Sequence, residues 1–214
     1  MNARETGLRQ KLAVIYGSNR EGRLCDQVGA WVLSRVAAHG HFDVELVDPA
    51  AMALPDRLGA EADGLDRFRC QIDRADAFLV VTPEYNHGYP AVLKLLIDSA
   101  HDEWRRKPAA FVSYGGVSGG LRAVEQLRLV FAELHVVGIR DGVSIVNPWE
   151  RFDTQGRLQD PAAENRALAH ALDQLGWWSR ALAAARTARS AMSPPRTMTR
   201  WCCRAARSIR TCCD

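Results

Sequence analysis

Three short stretches hold most of the residues able to do chemistry. The first is GSNREGR, from Gly17 to Arg23. Gly17 and Gly22 let a backbone come close to a ligand. Ser18 can donate a hydroxyl, and Arg20 and Arg23 can make forked, charge-assisted bonds to anionic oxygens. The second is PEYNHGYP, from Pro83 to Pro90. Its prolines stiffen both ends and remove two donors. Between them, Glu84, Tyr85, Asn86, His87 and Gly88 present backbone groups that need partners. A flat heterocycle with alternating donors and acceptors on its edge would supply such partners, and Tyr85 and Tyr89 could pack on its apolar parts. The third is SYGGVSGG, from Ser113 to Gly120. Gly115 and Gly116 permit close approach, Ser113 offers a hydroxyl, and Ser118 suits the N-cap of a following helix better than a ligand contact. Each stretch taken singly is also an ordinary polar turn.

The elements around these stretches alternate. Strands are expected over 11–16, 42–47, 77–82 and 109–114, with a fifth inside 136–146 that Arg140-Asp141-Gly142 interrupts. Helical spacing marks 24–39, 65–75, 91–100, 119–134 and 161–185. The run Ala77 to Thr82 is apolar without alternation, as in a strand buried on both faces. Five βα repeats require crossovers, hence a parallel sheet with helices on both faces. The doubly wound order 2-1-3-4-5 fits five strands and puts a ligand beyond the carboxyl ends of strands one and three. The first two stretches follow those strands. The first begins a helix, whose N-terminus favours anions.

Other classes recede. The first stretch lacks the Gly-Lys-Ser/Thr ending of a triphosphate loop and the Gly-x-Gly-x-x-Gly of a dinucleotide fold. The net charge is +3, but residues 190–214 carry five arginines against one aspartate, a balance of +4, which leaves residues 1–189 at −1. That near-neutral body gives no support to nucleic-acid binding. No apolar run is long enough to span a bilayer, and the N-terminal residues lack the apolar centre of a secretory signal, so a cytoplasmic protein without membrane contact is expected. Four of the six cysteines form the pairs Cys202-Cys203 and Cys212-Cys213. Their spacing is not the usual Cys-x2-Cys of a metal knuckle, and a chain with this much apolar core needs no disulfide scaffold. The expected organisation is a domain over 1–189 and an atypical basic, Cys-rich tail over 190–214 that lies outside the working fold; no metal site is expected.

Three segments carry a family resemblance: VIYGSNREGRLCDQVGAWV from Val14, VVTPEYNHGYPAVLKLLIDSA from Val80 and AAFVSYGGVSGGLRAVEQLRLVF from Ala109. Together they resemble the NADPH-dependent FMN reductases, flavodoxin-like proteins that include quinone, chromate and azo-dye reductases. The resemblance covers about residues 10–185, and the Gly-Ser-x-Arg turn with the Pro-Glu-Tyr-Asn loop is its specific part. It implies a three-layer α/β flavodoxin-like sandwich around a five-stranded parallel sheet. It also implies bound FMN, with NADPH (or NADH) as co-substrate and hydride passed through the flavin to a small acceptor such as a quinone, a flavin, an azo compound or a metal oxyanion. Ser18 and Arg20 would hold the FMN phosphate, helped by Gly17, Arg23, Leu24 and Cys25, although Cys25 stands where the pattern has a small polar residue. Pro83, Glu84, Tyr85, Asn86 and His87 would line the ring, with Ser113, Gly115 and Gly116 on its other side. No catalytic acid or base is required, because the cofactor carries the chemistry. The alternative is a flavodoxin-like electron carrier that docks to a protein. A homodimer or homotetramer is implied as well, with Trp104, Trp149, Trp177 and Trp178 as candidates for its interface.

Overall fold

The computed structural model of the chain describes residues 9–55 and 63–192. Its strands are β1 (Gln10–Tyr16), β2 (Phe42–Val47), β3 (Ala77–Pro83), β4 (Pro108–Gly115) and β5 (Val137–Val146). Its helices are α1 (Cys25–His39), α2 (Asp63–Arg74), α3 (Ala91–Asp98), α4 (Leu121–Glu133), α5 (Pro148–Arg151) and α6 (Ala162–Met192). Every strand pair is parallel, and the order is β2-β1-β3-β4-β5. This is the expected flavodoxin-like doubly wound sheet.

The central strands are buried on both faces, so their successive side chains feed two different layers. On one face Leu12, Val14, Leu79, Val81, Ala110 and Val112 meet Val28, Val32 and Val36 of α1 and Leu168, Leu172 and Leu175 of α6. On the other, Ala13, Ile15, Phe78, Val80, Ala109 and Phe111 meet Phe68 and Ile72 of α2, Leu93 and Leu96 of α3, and Leu127 and Phe131 of α4. Each helix applies one apolar stripe to the sheet, which leaves the strand ends and their loops as the place for function.

Four details differ from the sequence reading. β5 is continuous: Gly138 pairs with Ala109 and Gly142 with Phe111, so the extra residues form a bulge instead of a break. Arg128 reaches across to donate to the carbonyls of Ile139 and Arg140, at 2.7 and 3.2 Å, and satisfies the bulged backbone. A Cβ on Gly142 would stand 2.6 Å from the Phe111 carbonyl oxygen, so only glycine fits this bulge. The short α5 has too few residues to show a period in the sequence. Trp104 is 1 % exposed and packs edge-on against Phe68, Phe78 and Phe131, with its indole N–H on the Ile97 carbonyl, so it is core and not interface. Finally, α6 runs on to Met192, past the expected helix end at 185, and the Cys-rich stretch lies outside the described residues.

Candidate functional site

The parallel sheet brings the three stretches to one edge, beyond β1, β3 and β4. The Gly17 amide bonds the Val81 carbonyl at 2.7 Å, and the Glu84 amide bonds Tyr114 at 3.0 Å. These bonds extend the sheet ladder into the loops. A Cβ on Gly17 would lie 2.9 Å from the Thr82 hydroxyl, so the first loop can leave the sheet this close to β3 only with glycine.

In the first loop the backbone opens outward. Among the described residues, the amides of Ser18, Asn19, Glu21, Gly22 and Leu24 have no acceptor, the Arg23 amide closes a turn, and the Arg20 amide has only a 3.3 Å contact to the Ser18 hydroxyl. They lead directly into α1, whose N-cap position, Leu24, has no side-chain acceptor of its own. A row of open donors at a helix N-terminus is an anion cradle. The Arg20 side chain is exposed, lies over the Tyr85 ring at 5.7 Å, and forms no ion pair among the described residues.

Arg23 is turned the other way. Its guanidinium is 6 % exposed and forks onto Asp48 at 2.7 and 2.6 Å, donates to the Ser18 carbonyl, and bonds Asp26 at 2.9 Å. These carboxylates, Asp48 first, push its pKa further up. Burial alone would raise the Asp48 carboxyl, but the fork to Arg23 and the Ala50 amide bring it below the ordinary range. Arg23 thus braces the loop from behind. Asp48 was legible in the sequence only as a strand stop, because its partner lies 25 residues away.

Cys25 is buried, and its thiol points to the Val81 carbonyl at 3.8 Å. Burial pushes it up to about 11, so it is a neutral packing group and not a thiolate. The Tyr114 hydroxyl neighbours it and meets no hydrogen-bond partner of ordinary geometry.

The second stretch makes a tight two-residue hairpin turn. Tyr85 and Gly88 exchange both backbone bonds, at 2.8 and 3.0 Å, and Asn86 and His87 sit at φ 50° and 67°. Positive φ at both central residues marks a type I′ turn. The sequence reading has these backbone groups in need of partners outside the sheet; the Glu84 amide instead bonds the Tyr114 carbonyl of β4, and part of the rest is met within the turn. The turn uses Tyr85 and Gly88 internally and leaves the amides of Asn86 and His87 open among the described residues. Gln126 donates to the His87 carbonyl at 2.9 Å, and the His87 side chain is exposed. Tyr89 packs against the core under α3.

Side chains link the loops. The hydroxyls of Ser18 and Tyr85 share a hydrogen bond of 3.0 Å, which ties the anion cradle to the turn. Glu84 is 7 % exposed in its side chain and accepts from Ser118 at 2.7 Å, from the Arg122 amide at 3.1 Å and from the Arg122 guanidinium at 2.7 Å. Burial opposes its charge, but these donors together lower its pKa. The N-cap position of α4 is Gly120, not Ser118; Ser118 accepts the Gly120 amide at 3.2 Å, while the capping of Arg122 comes from Glu84, 38 residues away. In the third stretch, the buried Ser113 hydroxyl points inward to the Gly119 carbonyl at 2.9 Å. Gly115 approaches Glu84 so closely that a Cβ would stand 3.3 Å from the Glu84 Cβ, and Gly116 borders Trp149. Pro83 closes β3 and is wholly enclosed.

The edge thus joins an open, cationic anion cradle to a rigid turn with two free amides and a glycine-lined wall. The sequence profile of the NADPH-dependent FMN reductase family matches residues 10–150. An NAD(P)H-dependent FMN reductase of Schizosaccharomyces pombe is 39 % identical over 166 residues, which is 72 % of this chain and 80 % of that one. An NADPH:quinone oxidoreductase of Arabidopsis thaliana is 36 % identical over 108 residues, 48 % of this chain and 55 % of that one. A solved flavoenzyme, an NAD(P)H:(acceptor) oxidoreductase from Paracoccus denitrificans, superposes with a TM-score of 0.67 at 25 % identity, covering 80 % of this chain and 97 % of that one.

Proposed function

Because the chain belongs to the NADPH-dependent FMN reductase family and is an oxidoreductase that works with FMN and NAD(P)H, we propose that the loop edge beyond β1, β3 and β4 is its FMN site, and that it serves a small-molecule acceptor such as a quinone. The observation that carries this reading is the row of amides from Ser18 to Leu24, most of them open among the described residues, with the exposed Arg20 beside it in no ion pair among those residues. That donor set suits a phosphomonoester. FMN, when bound, supplies the redox chemistry by accepting two electrons from NAD(P)H and passing them to the acceptor.

The chain's own residues bind and orient. Arg20 and the amides of the first loop hold the phosphate. Arg23, held by Asp48, keeps that loop in shape and does not contact the ligand. The turn at Asn86 and His87 offers its two free amides to the polar edge of the ring system. Glu84 is already satisfied within the protein, so it fixes the turn against α4 instead of bonding the ligand. Gly115 and Gly116 keep the opposite wall low enough for a flat ring. An electron carrier serving only a protein partner has no use for NAD(P)H, so the family's dependence on it favours the reductase over the carrier.

The second copy of this chain is the partner we assign to the rim of the site. Val117, Leu121, Val146 and Trp149 are 90, 54, 44 and 57 % exposed and adjoin the β4–α4 loop. Such an apolar group beside a polar cleft suits a homo-oligomeric contact.

The test is the visible spectrum of the purified chain with FMN, followed by NADPH without oxygen. Flavin bound in one equivalent and bleached by NADPH supports the assignment. Folded protein that binds no flavin would overturn it, and flavin that binds without bleaching would return the carrier reading.

A further inference from the structure

At the opposite end of the sheet, where β2 begins, three metal-ligating side chains meet. His39 closes α1, Gly40 turns the chain at φ 77°, and His41 leads into β2. The turn sets the two imidazoles edge to face with centroids 4.5 Å apart. Asp173 of α6 completes the group: its carboxylate lies 2.9 Å from His39 Nε2. One ligand atom from each of the three residues lies within 4.8 Å of the others. The His39 side chain is 11 % exposed and stacks near Phe42, with 6.1 Å between ring centroids, while His41 and Asp173 are exposed.

An ion pair accounts for His39 and Asp173 alone and leaves the second imidazole unexplained. Two imidazole nitrogens and a carboxylate oxygen make a donor set that suits a borderline divalent cation. Bonds of about 2.0–2.1 Å to a tetrahedral centre place ligand atoms about 3.3 Å apart. The distances above bracket that value, and the exposed His41 and Asp173 have the rotamer freedom to close on it.

We propose that His39, His41 and Asp173 form a site for a borderline divalent cation of the zinc class, with the fourth position open to water. The ion would staple the end of α1 to α6, 134 residues further along the chain. The site is independent of the flavin reading, because it lies where strands begin and not where they end.

The test uses the full chain without an affinity tag, stripped of metal by a chelator. It is titrated with Zn2+ by calorimetry and with Co2+ by visible absorption, and its melting temperature is followed. One equivalent should bind and raise the melting temperature, and the cobalt spectrum should show ligand-field bands without thiolate charge transfer. His41→Ala and Asp173→Asn should each weaken binding about tenfold or more, and metal-free His41→Ala should melt like the parent. Absence of binding overturns the proposal, as does affinity unchanged in both variants. So does a thiolate band that disappears when Cys202, Cys203, Cys212 and Cys213 are replaced by serine, because the tail would then be the metal site.

Discussion

Arg20 and Arg23 stand in one turn, and their partners separate them completely. Arg20 is exposed and pairs with no acid among the described residues, so it is available to a ligand; Arg23 is consumed by Asp48, Asp26 and the Ser18 carbonyl. Arg20→Ala should therefore weaken FMN binding about tenfold or more while leaving the melting temperature unchanged. Arg23→Ala should do the reverse first: it strands Asp48 and should cost about 2 kcal/mol of stability. Equilibrium flavin titration and urea unfolding of both variants distinguish the roles, and equal loss of flavin affinity with equal stability would contradict the assignment.

At the scale of elements, two helix ends depend on distant residues. The α4 N-terminus is capped by Glu84 from the β3 loop. Glu84→Ala should cost about 1 to 2 kcal/mol, a fall of about 4 °C in melting temperature, and should lower flavin affinity because the turn loses its anchor. Ser118→Ala, which keeps the Glu84–Arg122 pair, should cost less in both measurements. The α2 C-terminus is capped by the buried Lys107, whose ammonium donates to the Ile72 and Asp73 carbonyls at 2.7 Å each. Burial pulls this lysine down to about 8 from its ordinary 10.5, against the pull of Asp73. Between these values the unfolded chain holds a proton that the folded chain releases, so stability should rise with pH there and be lowest below pH 8. The difference in unfolding free energy between the parent and Lys107→Met, followed from pH 7 to 10, isolates this contribution. A flat difference would show that the ammonium titrates at its ordinary value.

On the scale of the whole molecule, the sheet's two covered faces leave Val117, Leu121, Val146 and Trp149 as an exposed apolar rim that no described residue covers. Leu121→Glu with Trp149→Ser should shift the protein toward monomer in light scattering and leave the melting temperature of the isolated fold nearly unchanged. A parent that is already monomeric at micromolar concentration would remove the self-association proposal. Of the four tryptophans considered for such a surface, Trp104 is buried, Trp178 packs against the core, and Trp149 and Trp177 remain outside.

The alternation of five apolar strands with five amphipathic helices was enough to specify the parallel sheet and its order, because crossover connections and two-sided burial leave few alternatives. Strand order in turn placed the three polar stretches on one edge, and the Gly-Ser-x-Arg and Pro-Glu-Tyr-Asn segments carried the family resemblance that the profile match bears out. Local spacing could not say which way a side chain would turn. Arg23 and Arg20 look equivalent in sequence, and the difference between them comes from Asp48 at the end of a neighbouring strand. The Glu84 carboxylate has no evident partner in the sequence until Arg122 and Ser118 claim it, and His39 and Asp173 lie 134 residues apart until α1 packs beside α6. These pairings are non-local, and the packing of helices on a twisted sheet alone determines them.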